Sequence, residues 1–227
     1  MIFSDKTIRL YDIFTNSFFP LLKAGLTYTV FLAIISFALG LVLALVTALA
    51  RISKFRPLVA ISSFYVWIIR GTPLLVQLFI IFYGLPSVGI ILDPLVAGVI
   101  GFTLSVGAYN SEVIRAAILS IPKGQWEAGY SLGMTDTQAL IRIILPQAAR
   151  VSIPPLSNSF ISLVKDTSLA ASITVAEMFQ IAQRITATTY EPLLLYSEAA
   201  LIYLLLCTVL NIIQSRIEKY LERYVAK

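Results

Sequence analysis

Histidine is absent from the 227-residue sequence, and cysteine occurs once, as Cys207. No His/Cys metal cluster can therefore be assembled, no disulfide can close within the chain, and Ser-His-Asp or Cys-His catalysis is excluded. A Gly-Lys-Ser/Thr phosphate loop is missing too, so the chain offers no cradle for a triphosphate and any ATP must be used on another subunit. Charged residues make up only 13%, while 11 glycines and 10 prolines are too few for a collagen-like or low-complexity chain. In so apolar a sequence the formal net charge of +5 reads as basic loops beside a membrane, not as a nucleic-acid surface.

Apolar surface is abundant: 58% of residues are hydrophobic and the mean hydropathy is +0.87. Neither a water-soluble globule nor a disordered chain tolerates that composition, which leaves the bilayer as solvent. At roughly 20 residues per crossing, the length accommodates about five α-helical spans with short loops. The expected architecture is all-α, one multi-span transmembrane domain over 1–227. The first apolar run is Ala24 to Ala50. It follows a polar start, Ser4 to Asn16, too long and charged for the head of a signal peptide, and reads as a retained span. The second starts at Pro57 and continues through Leu85, interrupted by Arg70, Gly71 and Pro73, and reads as one crossing broken near its middle. The third runs from Pro94 to Ser120, the fourth from Ser152 to Ala176 and the fifth from Pro192 to Gln214. No internal repeat is visible.

Basic residues set the expected orientation. Eleven of the 17 follow spans one, three and five: Arg51, Lys54 and Arg56; Arg115, Lys123, Arg142 and Arg150; Arg216, Lys219, Arg223 and Lys227. Four lie on the opposite side, and Arg70 and Lys165 fall within spans. The positive-inside rule then puts the N-terminus outside and the C-terminus in the cytoplasm, in agreement with an odd number of crossings.

The longest stretch between spans, 121–151, carries signals for two short helices joined by a tight turn. Pro122 starts the first, and Gly133 ends it in the left-handed conformation. Thr135 with Gln138 three residues later makes a capping box for the second, whose end Pro146 disturbs. Small residues at Ala128, Gly129 and Gly133 let another surface approach, and Glu127 offers charge to a basic partner. By pattern alone an ordinary amphipathic loop fits equally well.

Glu127-Ala128-Gly129, then Gly133, then Ile143, Leu145 and Pro146, resembles the EAA loop of ABC-importer permeases, with Gly129 where that pattern has a second Ala. The resemblance extends through Gly25, Thr27 and Thr29, the stretch Arg70 to Gln77, Tyr109 with Glu112 and Arg115, Ile121 to Gln125, and Lys165 to Leu169. Together these are similar to the polar amino-acid permeases of the histidine/glutamine type, and Leu206-Cys207-Thr208 with the basic tail most resembles cystine permeases. The resemblance implies a five-helix subunit of the bacterial inner membrane that dimerises, with itself or a sister permease, around a substrate path. It further implies two cytoplasmic ATPase subunits docked on the EAA loops, ATP bound by those partners and no cofactor on this chain, and an external amino-acid-binding protein. The coupling residues would be Glu127, Ala128, Gly129, Gly133, Ile143, Leu145 and Pro146. The chain itself would be a transport subunit, not an enzyme.

Ionisable groups within spans are costly and usually face a bundle interior, so Arg70, Glu112, Lys165 and Asp166 become functional candidates. Arg70 lies where Gly71 and Pro73 free backbone groups, an arrangement that lines cavities in transporters; bonding to loose carbonyls or an acidic neighbour is the structural alternative. Glu112 and Arg115, three apart, can pair on one helical face. Lys165 and Asp166 point about 100° apart, so each needs another partner. Thr167 and Ser168 offer hydroxyls either to a substrate or to the preceding turn. The expected substrate path is Arg70, Tyr109, Lys165, Asp166, Thr167 and Ser168. Pro154 and Pro155 are expected to bend span four, and Cys207 to fill apolar space. The rival readings are an ion-coupled secondary transporter, which leaves the EAA segment without a purpose, and a membrane enzyme using Glu112 or Asp166 as acid or base.

Overall fold

Backbone inside a bilayer must satisfy its own hydrogen bonds, and this chain does so with helices. The computed structural model describes residues 2–222, with side chains from 5 to 219; Arg223 and Lys227 of the charge count lie outside the described residues. Among the described residues the α-helices are α1 (Ile2–Ala24), α2 (Val30–Ile52), α3 (Arg56–Gly71), α4 (Leu74–Phe79), α5 (Pro94–Ser120), α6 (Lys123–Ser131), α7 (Asp136–Ala139), α8 (Leu145–Asp166), α9 (Met178–Thr189) and α10 (Pro192–Glu222), and no strand occurs. Five-residue π turns join α1 to α2, extend α4, and join α7 to α8; a 3-10 helix, Thr167–Ile173, follows α8.

The polar start is helical, and α1 and α2 form one run of 48 residues, Asp5–Ile52. At 1.5 Å per residue that is about 70 Å, more than twice the hydrocarbon thickness, so only its apolar portion can lie in lipid. The start tolerates helix with its Thr15 hydroxyl turned onto the backbone, donating to Tyr11 O at 3.0 Å. Of the other apolar runs, Pro192–Lys219 is long enough to cross alone, and Arg56–Gly71 with Leu74–Val88 is a pair bent by 104°. The cause of that break is local. Thr72 precedes Pro73 and is therefore pushed to the extended region, φ −122° and ψ 146°.

The fourth run departs from the sequence reading. Its helix starts at Leu145, not Ser152, and ends at Asp166, with the remainder in 3-10 geometry. Pro146 does not end the second helix of the 121–151 segment, because the π turn Leu140–Ile144 carries the backbone straight into α8. Pro154 and Pro155 sit inside α8 without interrupting it.

The described chain divides into two compact units. The first comprises Met1–Ser36, Leu74–Gly101 and Ile161–Ile212. Its core is Leu21 and Ala24 of α1, Met178 and Ala182 of α9, and Ala199 and Ile202 of α10. Gly101 permits close packing here, since a Cβ at that position would lie 2.6 Å from Leu78 Cδ2. Two acids are buried in this unit. Glu177 caps α9, accepting from Gln180 N–H at 2.7 Å and from the Tyr203 hydroxyl at 2.8 Å, and Glu198 accepts from the Ser17 hydroxyl at 2.6 Å. The second unit comprises Phe37–Pro73, Phe102–Phe160 and Ile213–Lys227. Its core, Ala117, Ile118, Ile121, Ile144 and Ala148, is surrounded by Leu49, Ile52, Trp126, Leu140 and Ile143. There Gly40 faces Val106 and Gly107 faces Leu43, each closer than any side chain would allow.

Candidate functional site

The second unit contains the 121–151 segment and the charged residues of the third run. Pro122 caps α6, Gly133 turns the chain at φ +74°, and Met134 N–H closes the turn on Gly129 O at 3.1 Å. The capping box is present: the Thr135 hydroxyl accepts from Gln138 N–H at 3.3 Å, and the Gln138 side chain accepts from Thr135 N–H at 3.0 Å. Glu127 and Ala128 face outward while Gly129 is buried. A Cβ at Gly129 would lie 3.1 Å from Ile143 Cδ1 and 3.2 Å from Ala139 Cβ, which gives the departure from the EAA pattern a packing reason. Ile143 and Leu145 are half-buried behind this surface, and Pro146 is exposed. Leu132, 76% exposed beside the turn, leaves an apolar tip.

Arg115 donates to Glu112 Oε2 at 3.0 and 2.9 Å, so the i, i+3 spacing does bring these two together. Glu112 has further partners. Arg51 of α2 bonds its other carboxylate oxygen, and Arg70 Nη1 lies 3.8 Å from that oxygen. Arg70 also rests over the Tyr109 ring, 5.3 Å from its centroid, within cation–π range. Three guanidinium groups, from α2, α3 and α5, thus surround one carboxylate and leave the cluster with an excess of positive charge. The sequence reading missed Arg51 in this cluster, because it is 61 positions from Glu112 and was counted as a loop charge.

The other expected path residues lie together in the first unit. Lys165 and Asp166 are the last residues of α8 and are exposed, and among the described residues neither forms an ion pair. Thr167 is buried and donates to Val164 O at 2.7 Å; Ser168 is half-buried and donates to Lys165 O at 2.8 Å. Both hydroxyl protons are thus used by the preceding turn, where they fix the change from α to 3-10 winding. Glu177 and Glu198 were also missed. The available signal was Glu198, the lone acid of the apolar run Pro192 to Gln214 and its seventh residue; Glu177 follows directly on the run that ends at Ala176.

Outside the spans, Lys54 Nζ lies 2.8 Å from Asp136 Oδ2, and this hydrogen bond, ahead of a second from Tyr130, holds the Asp136 carboxyl below its ordinary value. Lys54 is raised in turn, chiefly by the same bond.

The chain matches the family described as the binding-protein-dependent transport system inner membrane component over residues 38–223. It is 59% identical over 218 residues to the L-cystine transport system permease protein TcyB of Bacillus subtilis (strain 168), covering 96% of this chain and 93% of the relative. It is 42% identical over 209 residues to the probable amino-acid ABC transporter permease protein PatM of Vibrio harveyi, covering 90% and 93%. Among solved structures, an amino acid ABC transporter with histidines superposes with a TM-score of 0.85 at 34% identity, covering 91% of this chain and 96% of that one. The inward-facing MetNI methionine ABC transporter shares the fold, with a TM-score of 0.69 at 20% identity and coverage of 88% and 94%. The chain therefore belongs to the inner-membrane permease family of binding-protein-dependent ABC transport systems.

Proposed function

We propose that this permease imports cystine. The observation that carries the substrate is the 59% identity, over nearly the full length of both chains, to an L-cystine permease. ATP is hydrolysed on separate cytoplasmic ATPase subunits that dock on α6 through the outward Glu127 and Ala128, with Gly129, Gly133, Ile143, Leu145 and Pro146 holding that surface in shape. An external binding protein delivers the amino acid to a path shared by two permease subunits, since five helices enclose too little space and leave charges facing lipid. In this reading the chain crosses the membrane five times, with its N-terminus outside and its C-terminus in the cytoplasm.

The path is lined by Arg70, Tyr109, Lys165, Asp166 and Ser168. An amino acid carries a carboxylate and an ammonium, and these positions supply cations, an anion and a ring face to replace its water shell. Thr167, buried, serves the path by holding the turn. The test is uptake of labelled cystine into proteoliposomes holding the permease with its ATPase and binding protein. ATP-dependent cystine uptake that survives competition from other polar amino acids is expected. Preference for another amino acid overturns the substrate, and uptake that follows an ion gradient without ATP overturns the coupling.

A further inference from the structure

Apolar packing is not all that joins the EAA segment to its unit. Asp136, the first residue of α7, takes the Lys54 ammonium at 2.8 Å. Lys54 belongs to the turn between α2 and α3, and that turn is stiff. Ser53 N–H donates to Ala50 O at 3.2 Å, the Ser53 hydroxyl accepts from Phe55 N–H at 3.1 Å, and Pro57 fixes the first turn of α3. Three residues before Lys54, Arg51 reaches Glu112, which holds Arg115 at 2.9 Å and Arg70 at 3.8 Å. One short stretch, Arg51 to Lys54, thus touches the EAA segment with its last residue and the broken-helix cluster with its first.

The ion pair also spans open space. A groove of about 580 Å³, floored by Leu49, Ile52, Trp126 and Leu140, lies between the turn and the EAA segment. Lys54 and Asp136 bridge its rim with side chains 92% and 64% exposed. Such an exposed pair contributes little to folding, so its removal leaves the subunit intact and isolates whatever else it does.

We propose that the α2–α3 turn is a second mechanical connection between the EAA segment and the helix break, with Lys54 and Asp136 as positioning residues that pass displacement of α6 and α7 through Arg51 to Glu112 and Arg70. This rests on the reading of the EAA segment as the ATPase dock. The experiment measures cystine imported per ATP hydrolysed by the complete transporter in proteoliposomes. Lys54→Ala and Asp136→Asn each lower that ratio about threefold with the ATPase still co-purifying, whereas Lys54→Arg, which keeps charge and reach, retains it. Unchanged ratios in Lys54→Ala and Asp136→Asn overturn the proposal, as does a Lys54→Arg loss as large as that of Lys54→Ala. Loss of the ATPase from the complex overturns it too, since the pair would then be part of the dock. Failure of the dock reading is separate: it shows as normal ATPase binding and coupling in Gly133→Leu.

Discussion

Replacing Glu112 with glutamine removes the one carboxylate that the described residues place among Arg51, Arg70 and Arg115, while keeping size and one hydrogen-bond acceptor. The N···O separations are 2.9 Å to Arg115 and 3.8 Å to Arg70. At an effective permittivity of about 20, these pairs attract by about 6 and 4 kcal/mol. Desolvation of all four groups and repulsion among the guanidiniums cancel most of that gain. The side chains retain 19–44% of their exposure, so the net loss falls below the 3–5 kcal/mol of a fully buried pair, at about 2–3 kcal/mol. The assay is unfolding of the detergent-solubilised subunit by titrated denaturing detergent, with Glu112→Gln, Arg51→Gln and the double variant in parallel. Because Arg51→Gln removes one of the uncompensated cations, the double variant is expected to be more stable than the sum of the single effects predicts, by about 1 kcal/mol. Parental stability in Glu112→Gln, or strict additivity in the double variant, refutes the electrostatic account of the cluster.

Gly129→Ala is expected to lower coupled ATP hydrolysis modestly, because Ile143 Cδ1 can give way but Ala139 Cβ, 3.2 Å from the new methyl, moves only with its backbone, whereas Gly129→Leu splays α6 from the π turn at an overpacking cost of about 1–3 kcal/mol and loses coupled ATP hydrolysis. Gly133→Leu meets no atom within 4 Å but must hold φ near +74°, at about 1–2 kcal/mol, so the subunit stays in the membrane while co-purification of the ATPase is lost through the projecting side chain. Thr167→Val lowers thermal stability and leaves the cystine concentration for half-maximal uptake unchanged, because the buried hydroxyl already bonds Val164 O. Asp166→Asn, at an exposed position, raises that concentration with assembly intact, and the converse pattern in these two variants would reverse their roles.

Features written in a few neighbouring residues were legible. The Thr135–Gln138 capping box, the Gly133 turn and the break before Pro73 each depend on side-chain chemistry within one turn of backbone, and each is present. Pairing across distance was not. Glu112 and Arg115 meet because they are three apart, but nothing near Arg51 marks it as a partner for Glu112. The disturbance expected at Pro146 takes the form of a π turn just before it, after which the helix continues as α8. The buried acids Glu177 and Glu198 escape a reading of the sequence because it does not show that the hydroxyls of Tyr203, Thr29 and Ser17 are placed to hydrogen-bond them.

The π turn at Leu140–Ile144 bears on where movement can occur. By joining α7 to α8 it makes the second half of the EAA segment, after the Gly133 turn, the beginning of a continuous helical run. The hydrogen-bond ladder of that run is itself interrupted at the π turn and lacks N–H donors at Pro154 and Pro155, so part of a displacement arriving at α6 and α7 is taken up within it. The rest is taken up at the other interruptions. Two such places adjoin the proposed path: the extended Thr72 and Pro73 after Arg70, and the 3-10 winding that starts at Thr167, beside Lys165 and Asp166. Backbone freed at a helix break also supplies the polar groups that a zwitterionic substrate needs inside a membrane, so the same interruption serves both binding and movement. That is a physical reason for Arg70, Lys165 and Asp166 to stand beside breaks, and a substitution that straightened Thr72–Pro73 is expected to disturb affinity and coupling together.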